Sequence, residues 1–224
     1  MTSSLDPAVS KAIARATGHE PPHRDEEYKR IQDLHIRHSR DLTGIDRCTS
    51  LEILVLVACD PVDTDQLSTL GALNLLRVRD SGLESVSGLS SLSILSCYTP
   101  RNLIQDVTPL MSISRLRNLD LTGNPLSEDS YHQLIPQLSA RGCRVIMSDE
   151  FEWSLTRHLH NSGVTVSCYK SEQGYRLCRP GLKLTDSPEF AHPAIQKSDA
   201  ESLFSGDPRR ALEFFEDETL IPFS

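Results

Sequence analysis

The run Leu116-Arg-Asn-Leu119-Asp-Leu121-Thr-Gly-Asn124-Pro-Leu126 constrains this chain more than any other stretch, because it carries leucine or asparagine at every fixed place of an LxxLxLxxNxL pattern. Weaker copies precede it. They read as Leu92, Leu95, Cys97 and Pro100; Leu73, Leu76, Val78, Ser81 and Leu83; Leu51, Leu54, Leu56 and Cys59; and Ile31, Leu34, Ile36, Ser39 and Leu42. The second fixed positions, residues 34, 54, 76, 95 and 119, are then separated by 20, 22, 19 and 24. A unit of that length cannot bury its own leucines, so each coil must stack against its neighbours.

The pattern is that of a leucine-rich repeat, and it predicts an α/β solenoid. Each LxL becomes a short strand, and stacked strands make a parallel sheet on the concave side. Asn124 stands where a side-chain amide serves the backbone between coils, and Cys59 suits the same place. Ser39 and Ser81 are weaker substitutes. Pro100 has no N–H to donate, so irregularity is expected over residues 100–106. On the convex side Leu42, Ile45 and Cys48, Val86 and Leu89, and Val107 and Leu110 have the near-three spacing of short helical turns. Residues 127–141 read as a helix with Tyr131, Leu134 and Leu138 on one face, capped by Ser127 or Asp129 and disturbed by Pro136.

These repeats resemble bacterial leucine-rich-repeat proteins of the internalin-like kind, and the resemblance extends over roughly residues 6–148. Upstream of the repeats, Asp6-Pro7-Ala8-Val9 through Ala16, and Arg24 through Ile31, are similar to the helical N-terminal cap of that family. Such a cap is physically required, since the first coil would otherwise expose its apolar edge. Asp6 as N-cap and Pro7 at the first helical position give it a sound start. The resemblance implies a protein-binding scaffold.

Beyond residue 148 the pattern changes. Residues 150–161 read as an amphipathic helix with Phe151, Leu155 and Leu159 inward and Trp153 off that stripe. Val164, Val166 and Cys168 alternate as a strand that Tyr175 and Leu177 answer across Gln173-Gly174, giving a helix-hairpin C-terminal cap. The expected divisions are 1–30 for the N-terminal cap, 31–148 for the repeats, 149–179 for the C-terminal cap and 180–224 for an extension or tail. That last stretch, rich in Pro, Ser, Asp and Glu, reads as a wrapping segment or a short acidic helix near 208–216.

Outward strand positions supply the candidate partner-binding surface: His35, Arg37, Ile53, Val55, Val57, Leu75, Arg77, Arg79, Ile94, Tyr98 and Asp120. Aliphatic, aromatic and Arg side chains together are the composition of an interface hot spot. The competing expectation is that the tail folds over this face and its aliphatics are ordinary core. His35, Arg37, His38, Arg77 and Arg79 also suit an acidic ligand, unless Asp33, Asp80 and Asp120 neutralise them. A net charge of −8 argues against general nucleic-acid binding.

Six cysteines, Cys48, Cys59, Cys97, Cys143, Cys168 and Cys178, are scattered without a CxxC pair, which predicts buried reduced thiols and no metal or cofactor. His158 and His160, two apart on a helix, point to different faces. No nucleophile–base constellation or phosphate-cradling loop stands out, and the thiols and imidazoles of the C-terminal region suit packing better than attack. Neither an apolar leader nor a membrane span is visible. The expectation is a non-catalytic cytoplasmic adaptor or regulator, a monomer with a dimer as the alternative, holding a protein partner on its concave face. An inhibitor or immunity-type protein neutralising a basic toxin or enzyme is the second reading, and a small catalytic or ligand-binding C-terminal module the third.

Overall fold

The computed structural model describes residues 5–172 and 174–215. Six parallel strands stack in chain order: β1 (Asp33–Arg37), β2 (Ile53–Val57), β3 (Leu75–Arg79), β4 (Ser96–Tyr98), β5 (Asn118–Asp120) and β6 (Arg144–Ile146). The register aligns Leu34, Leu54, Leu76, Cys97, Leu119 and Val145 as one inward row. A fully buried leucine contributes about 1.5–3 kcal/mol of transfer free energy, so this row and its neighbours are the main source of stability. The chain is thus an α/β leucine-rich-repeat solenoid with a parallel concave sheet.

The fourth coil differs from the sequence expectation. Because Leu76 pairs with Cys97 and Leu119 pairs with Cys97, the fixed positions there are Ile94, Cys97, Thr99, Asn102 and Ile104. The second positions therefore stand at 34, 54, 76, 97 and 119, spaced 20, 22, 21 and 22. Asn102, not Pro100, takes the asparagine place: its Nδ2 donates to the carbonyls of Val78 at 2.8 Å and Pro100 at 3.1 Å. Asn124 makes the fuller version, donating to Thr99 O at 2.7 Å and Leu121 O at 3.0 Å and accepting from Ile104 N–H at 3.1 Å.

On the convex side four 3₁₀ turns, Ile45–Arg47, Thr64–Leu67, Ser87–Leu89 and Thr108–Ser112, return the chain to the next strand. In the fifth coil a π-helical turn, Ser130–Leu134, runs into α3 (Ile135–Ala140). The wider turn lets Pro136 stand in the first turn of α3, where its missing N–H is harmless.

The N-terminal cap is α1 (Pro7–Thr17) followed by the single turn α2 (Asp25–Tyr28). Asp6 caps α1 by accepting from Ala8 N–H at 2.7 Å, and its other carboxylate oxygen accepts from Arg40 N–H at 3.0 Å, which ties the cap to the first coil. Val9, Ala12 and Ile13 enter the repeat core. Gly18 ends α1 in the left-handed conformation, φ 82°.

The C-terminal module has its own core. It comprises α4 (Glu150–Asn161), an antiparallel sheet of β7 (Ser167–Ser171), β8 (Gly174–Cys178) and β9 (Ala194–Ile195), α5 (Lys197–Ser205) and a 3₁₀ segment Pro208–Phe214. The expected turn residue Gln173 and the end of the expected acidic helix, Glu216, lie outside the described residues. Trp153 is explained by a second buried face of α4. Its ring stacks on Tyr131, centroids 4.0 Å apart, and its N–H donates to Leu126 O at 2.8 Å, while Leu155 and Leu159 enter the module's core.

Candidate functional site

The register sorts the outward strand residues into three rows. The first holds Asp33, Ile53, Leu75, Ser96, Asn118 and Arg144; the second holds His35, Val55, Arg77, Tyr98, Asp120 and Ile146. Arg37, Val57 and Arg79 begin the third. Two of the expected surface residues are placed differently. Ile94 is fully buried in the repeat core, because it occupies the place of Leu51, Leu73 and Leu116, in the bend before the strand, where outward alternation has not begun. Val57 keeps its outward register but is buried as well.

The rest form a continuous surface. Ile53, Val55 and Leu75 are half-buried, Arg37 and Arg77 exposed, and the Arg77 guanidinium lies over the Tyr98 ring at 5.2 Å. Asp120 is partly occupied locally, accepting from Thr122 N–H at 3.0 Å. Ile146, which the expected surface set left out, is an exposed apolar residue at the far end of the second row.

Local carboxylates neutralise this surface only in part. His35 pairs with Asp33 at 3.0 Å and His38 with Glu189 at 2.7 Å. Arg79 stands 3.8 Å from an Asp80 oxygen, but that buried carboxylate is already held by Arg101 at 2.5 Å. Arg37 and Arg77 have no ion-pair partner among the described residues. A concavity of about 350 Å³ is lined by His35, Arg37, Val55, Val57, Arg77 and Arg79. A second, about 470 Å³, lies between α1 and β1 and adds Lys11 and Arg15 to His35, Arg37 and His38. An acidic chain thus presents a locally basic cleft at the N-terminal end of its concave sheet.

The sequence allowed the tail to cross the strand rows. Residues 179–192 instead run along the loops that follow the strands. Leu182 N–H donates to Asp60 at 2.7 Å, Gly181 N–H to the Asp80 carbonyl at 3.3 Å, and Lys183, Asp186 and Glu189 reach Glu84, Arg40 and His38. Gly181 and Gly82 are required there: a Cβ on either would come within 2.6 Å or 2.0 Å of an Asp60 oxygen. Arg101, φ 54°, bridges the two bodies by binding Asp80 and lying 5.0 Å over the Tyr169 ring.

In the C-terminal region Cys168 and Cys178 are buried, and burial pushes both thiols well above the usual range. His160 is held down to about 4 by burial, and its Nε2 lies 3.4 Å from Ser167 Oγ. These groups are placed for packing, not nucleophilic attack. Among the described residues no helix is long and apolar enough to cross a membrane.

No protein-family model and no curated protein matches the sequence. Among solved structures the chain is similar to an internalin C2 from Listeria monocytogenes, at 17% identity and TM-score 0.47, over 68% of this chain and 80% of that one. It is also similar to an internalin from the same organism, designated inlF, at 16% identity and TM-score 0.35, over 68% of this chain and 60% of that one.

Proposed function

We propose that this chain is a non-catalytic protein-interaction module, a cytoplasmic adaptor or regulator, that grips an acidic segment of a protein partner in the N-terminal half of its concave sheet. The observation that carries the reading is the pairing of Arg37 and Arg77, which have no counter-charge among the described residues, with half-buried Ile53, Val55 and Leu75 beside Tyr98. Aliphatic area supplies affinity, while unpaired guanidinium groups supply orientation and select carboxylates. The local basic charge also favours this over neutralisation of a basic toxin. Cytoplasmic residence is supported by six buried, unpaired cysteines, which a reducing compartment preserves.

The test is affinity capture with wild type, with Arg37→Glu/Arg77→Glu, and with Arg115→Glu as an exposed control outside the concave rows, each verified as folded by circular dichroism. The expected result is one binder retained by wild type and the control, lost by the double variant, and released as salt is raised, since the contact is partly exposed and screened. Equal capture by all three proteins refutes the assignment of the site.

A further inference from the structure

The link between the two cap helices reads His19-Glu-Pro-Pro-His23-Arg-Asp-Glu-Glu27, and it folds so that one ligand-capable atom from each of His19, His23 and Glu27 lies within 4.8 Å of the others. Each of the three has its remaining polar atom tied to a neighbour. His19 Nδ1 donates to the Glu20 carbonyl at 2.9 Å. Glu27 Oε2 accepts from Arg24 N–H at 2.6 Å, as the capping bond of α2. His23 Nδ1 lies 3.4 Å from the hydroxyl of Thr17, which itself donates to the Ile13 carbonyl at 3.0 Å and so receives the imidazole N–H.

What remains is His19 Nε2, which donates to Glu27 Oε1 at 2.8 Å and would give up that proton to a cation, and beside this pair the His23 ring, one of whose nitrogens completes the set. That ring carries the informative atom. His23 Nε2 is buried from water and has no hydrogen-bond partner among the described residues, an arrangement that costs free energy unless something binds it. Its ring is held by edge contact with the buried Tyr28, centroids 5.9 Å apart.

We propose that His19, His23 and Glu27 form a binding site for a zinc-type divalent cation, completed by water, that clips the end of α1 to the first turn of α2. Two imidazole nitrogens with one carboxylate oxygen suit zinc and its neighbours over magnesium or calcium, which prefer all-oxygen shells. Ligand atoms around tetrahedral zinc stand about 3.3 Å apart, so closure from separations of up to 4.8 Å requires up to about 1.5 Å of movement. His19, whose side chain is 46% exposed, is free to supply it. The bonds to Glu20, Thr17 and Arg24 are the outer contacts that orient ligands and fix the imidazole tautomers in metal sites. A concavity of about 250 Å³ bordered by Thr17, Glu27 and Arg30 lies on the Glu27 side of the cluster.

The experiment is calorimetric titration of zinc chloride into the full chain, free of any affinity tag and stripped with chelator, followed by cobalt(II) absorption spectra. Wild type is expected to bind one zinc per chain, to show the visible bands of a tetrahedral cobalt site, and to melt at a higher temperature with metal. His23→Ala, and His23→Gln as the less disruptive change, should each weaken binding by on the order of 100-fold, and Thr17→Val by about tenfold through loss of the outer contact. His132→Ala, at the other end of the repeats, should leave it unchanged. Absence of binding to wild type up to about millimolar zinc, or equal binding by wild type and both folded His23 variants, overturns the proposal.

Discussion

Removing the guanidinium of Arg101 is expected to destabilise the protein far more than its partly exposed position suggests. The Asp80 carboxylate is 1% exposed and receives Arg101 Nε at 2.5 Å and Nη2 at 3.2 Å. Deleting one member of a buried pair strands the other charge and costs about 3–5 kcal/mol. A second cation, Arg79, stands 3.8 Å from Asp80 and offsets part of that loss; His192 is equally near, but burial lowers its pKa and so weakens its contribution as a counter-charge. Loss of the guanidinium from the Tyr169 face adds about 0.5–1 kcal/mol. The net expectation for Arg101→Ala is about 3–4 kcal/mol, a large share of the ~5–15 kcal/mol that holds an ordinary domain together. Urea unfolding followed by fluorescence of the sole tryptophan, Trp153, is the assay, since that ring lies at the seam between repeats and module. Adding Asp80→Asn should restore part of the loss, so the double variant is less damaged than the sum of the singles by about 1–3 kcal/mol. A cost below about 1 kcal/mol for Arg101→Ala, or additive singles, would refute the reasoning.

The two asparagines between coils should differ. Asn124→Ala removes three bonds to backbone groups and is expected to cost about 3 kcal/mol; Asn102→Ala removes two, and its Oδ1 has no partner among the described residues to lose, so about 1–2 kcal/mol is expected by thermal or urea denaturation. Gly88→Ala drives a Cβ to 2.1 Å from the Thr64 carbonyl oxygen between adjacent convex turns, and forced separation of the coils should cost about 1–3 kcal/mol and raise hydrogen exchange in the Thr64–Leu67 turn. His160 is held neutral in the folded state with a pKa of about 4, below the 6.5 of an accessible imidazole. Its contribution is therefore complete above pH ~6.5 and declines as pH falls towards about 4. The full shift corresponds to ~3 kcal/mol, and because the ring borders a surface cleft about 1–2 kcal/mol is expected. A His160→Gln variant should lose that part of the stability–pH curve; curves that stay parallel to wild type would contradict it.

Much of the architecture is written in local periodicity. Leu34, Leu54, Leu76 and Leu119 fall in one inward row, and Asp6-Pro7 begins the cap helix, because each depends only on neighbours along the chain and on the need to cover an apolar edge. The fourth coil shows where periodicity runs out. Leu92, Ile94, Leu95 and Cys97 offer two alignments two residues apart, and a two-residue slip preserves which side chains of a strand face inward. Pairing with Leu76 and Leu119 on either side chose the alignment that buries Ile94 and brings Asn102 into place.

The candidate sites divide in the same way. Strand alternation alone puts Val55, Arg77 and Tyr98 on one outward face, but whether a charge there is free depends on carboxylates distant in sequence. Asp80 is turned towards Arg101, and Glu189 arrives from the tail to meet His38, so among the described residues Arg37 and Arg77 are left unpaired. Helical periodicity likewise accounts for Leu155 and Leu159 but not for Trp153, whose partner Tyr131 belongs to another coil. The sequence determined which residues turn inward in the coils whose pattern allows a single alignment; tertiary structure decided the alignment of the fourth coil and which coil edges, carboxylates and imidazoles meet, since those encounters depend on register and docking between segments that no local pattern encodes.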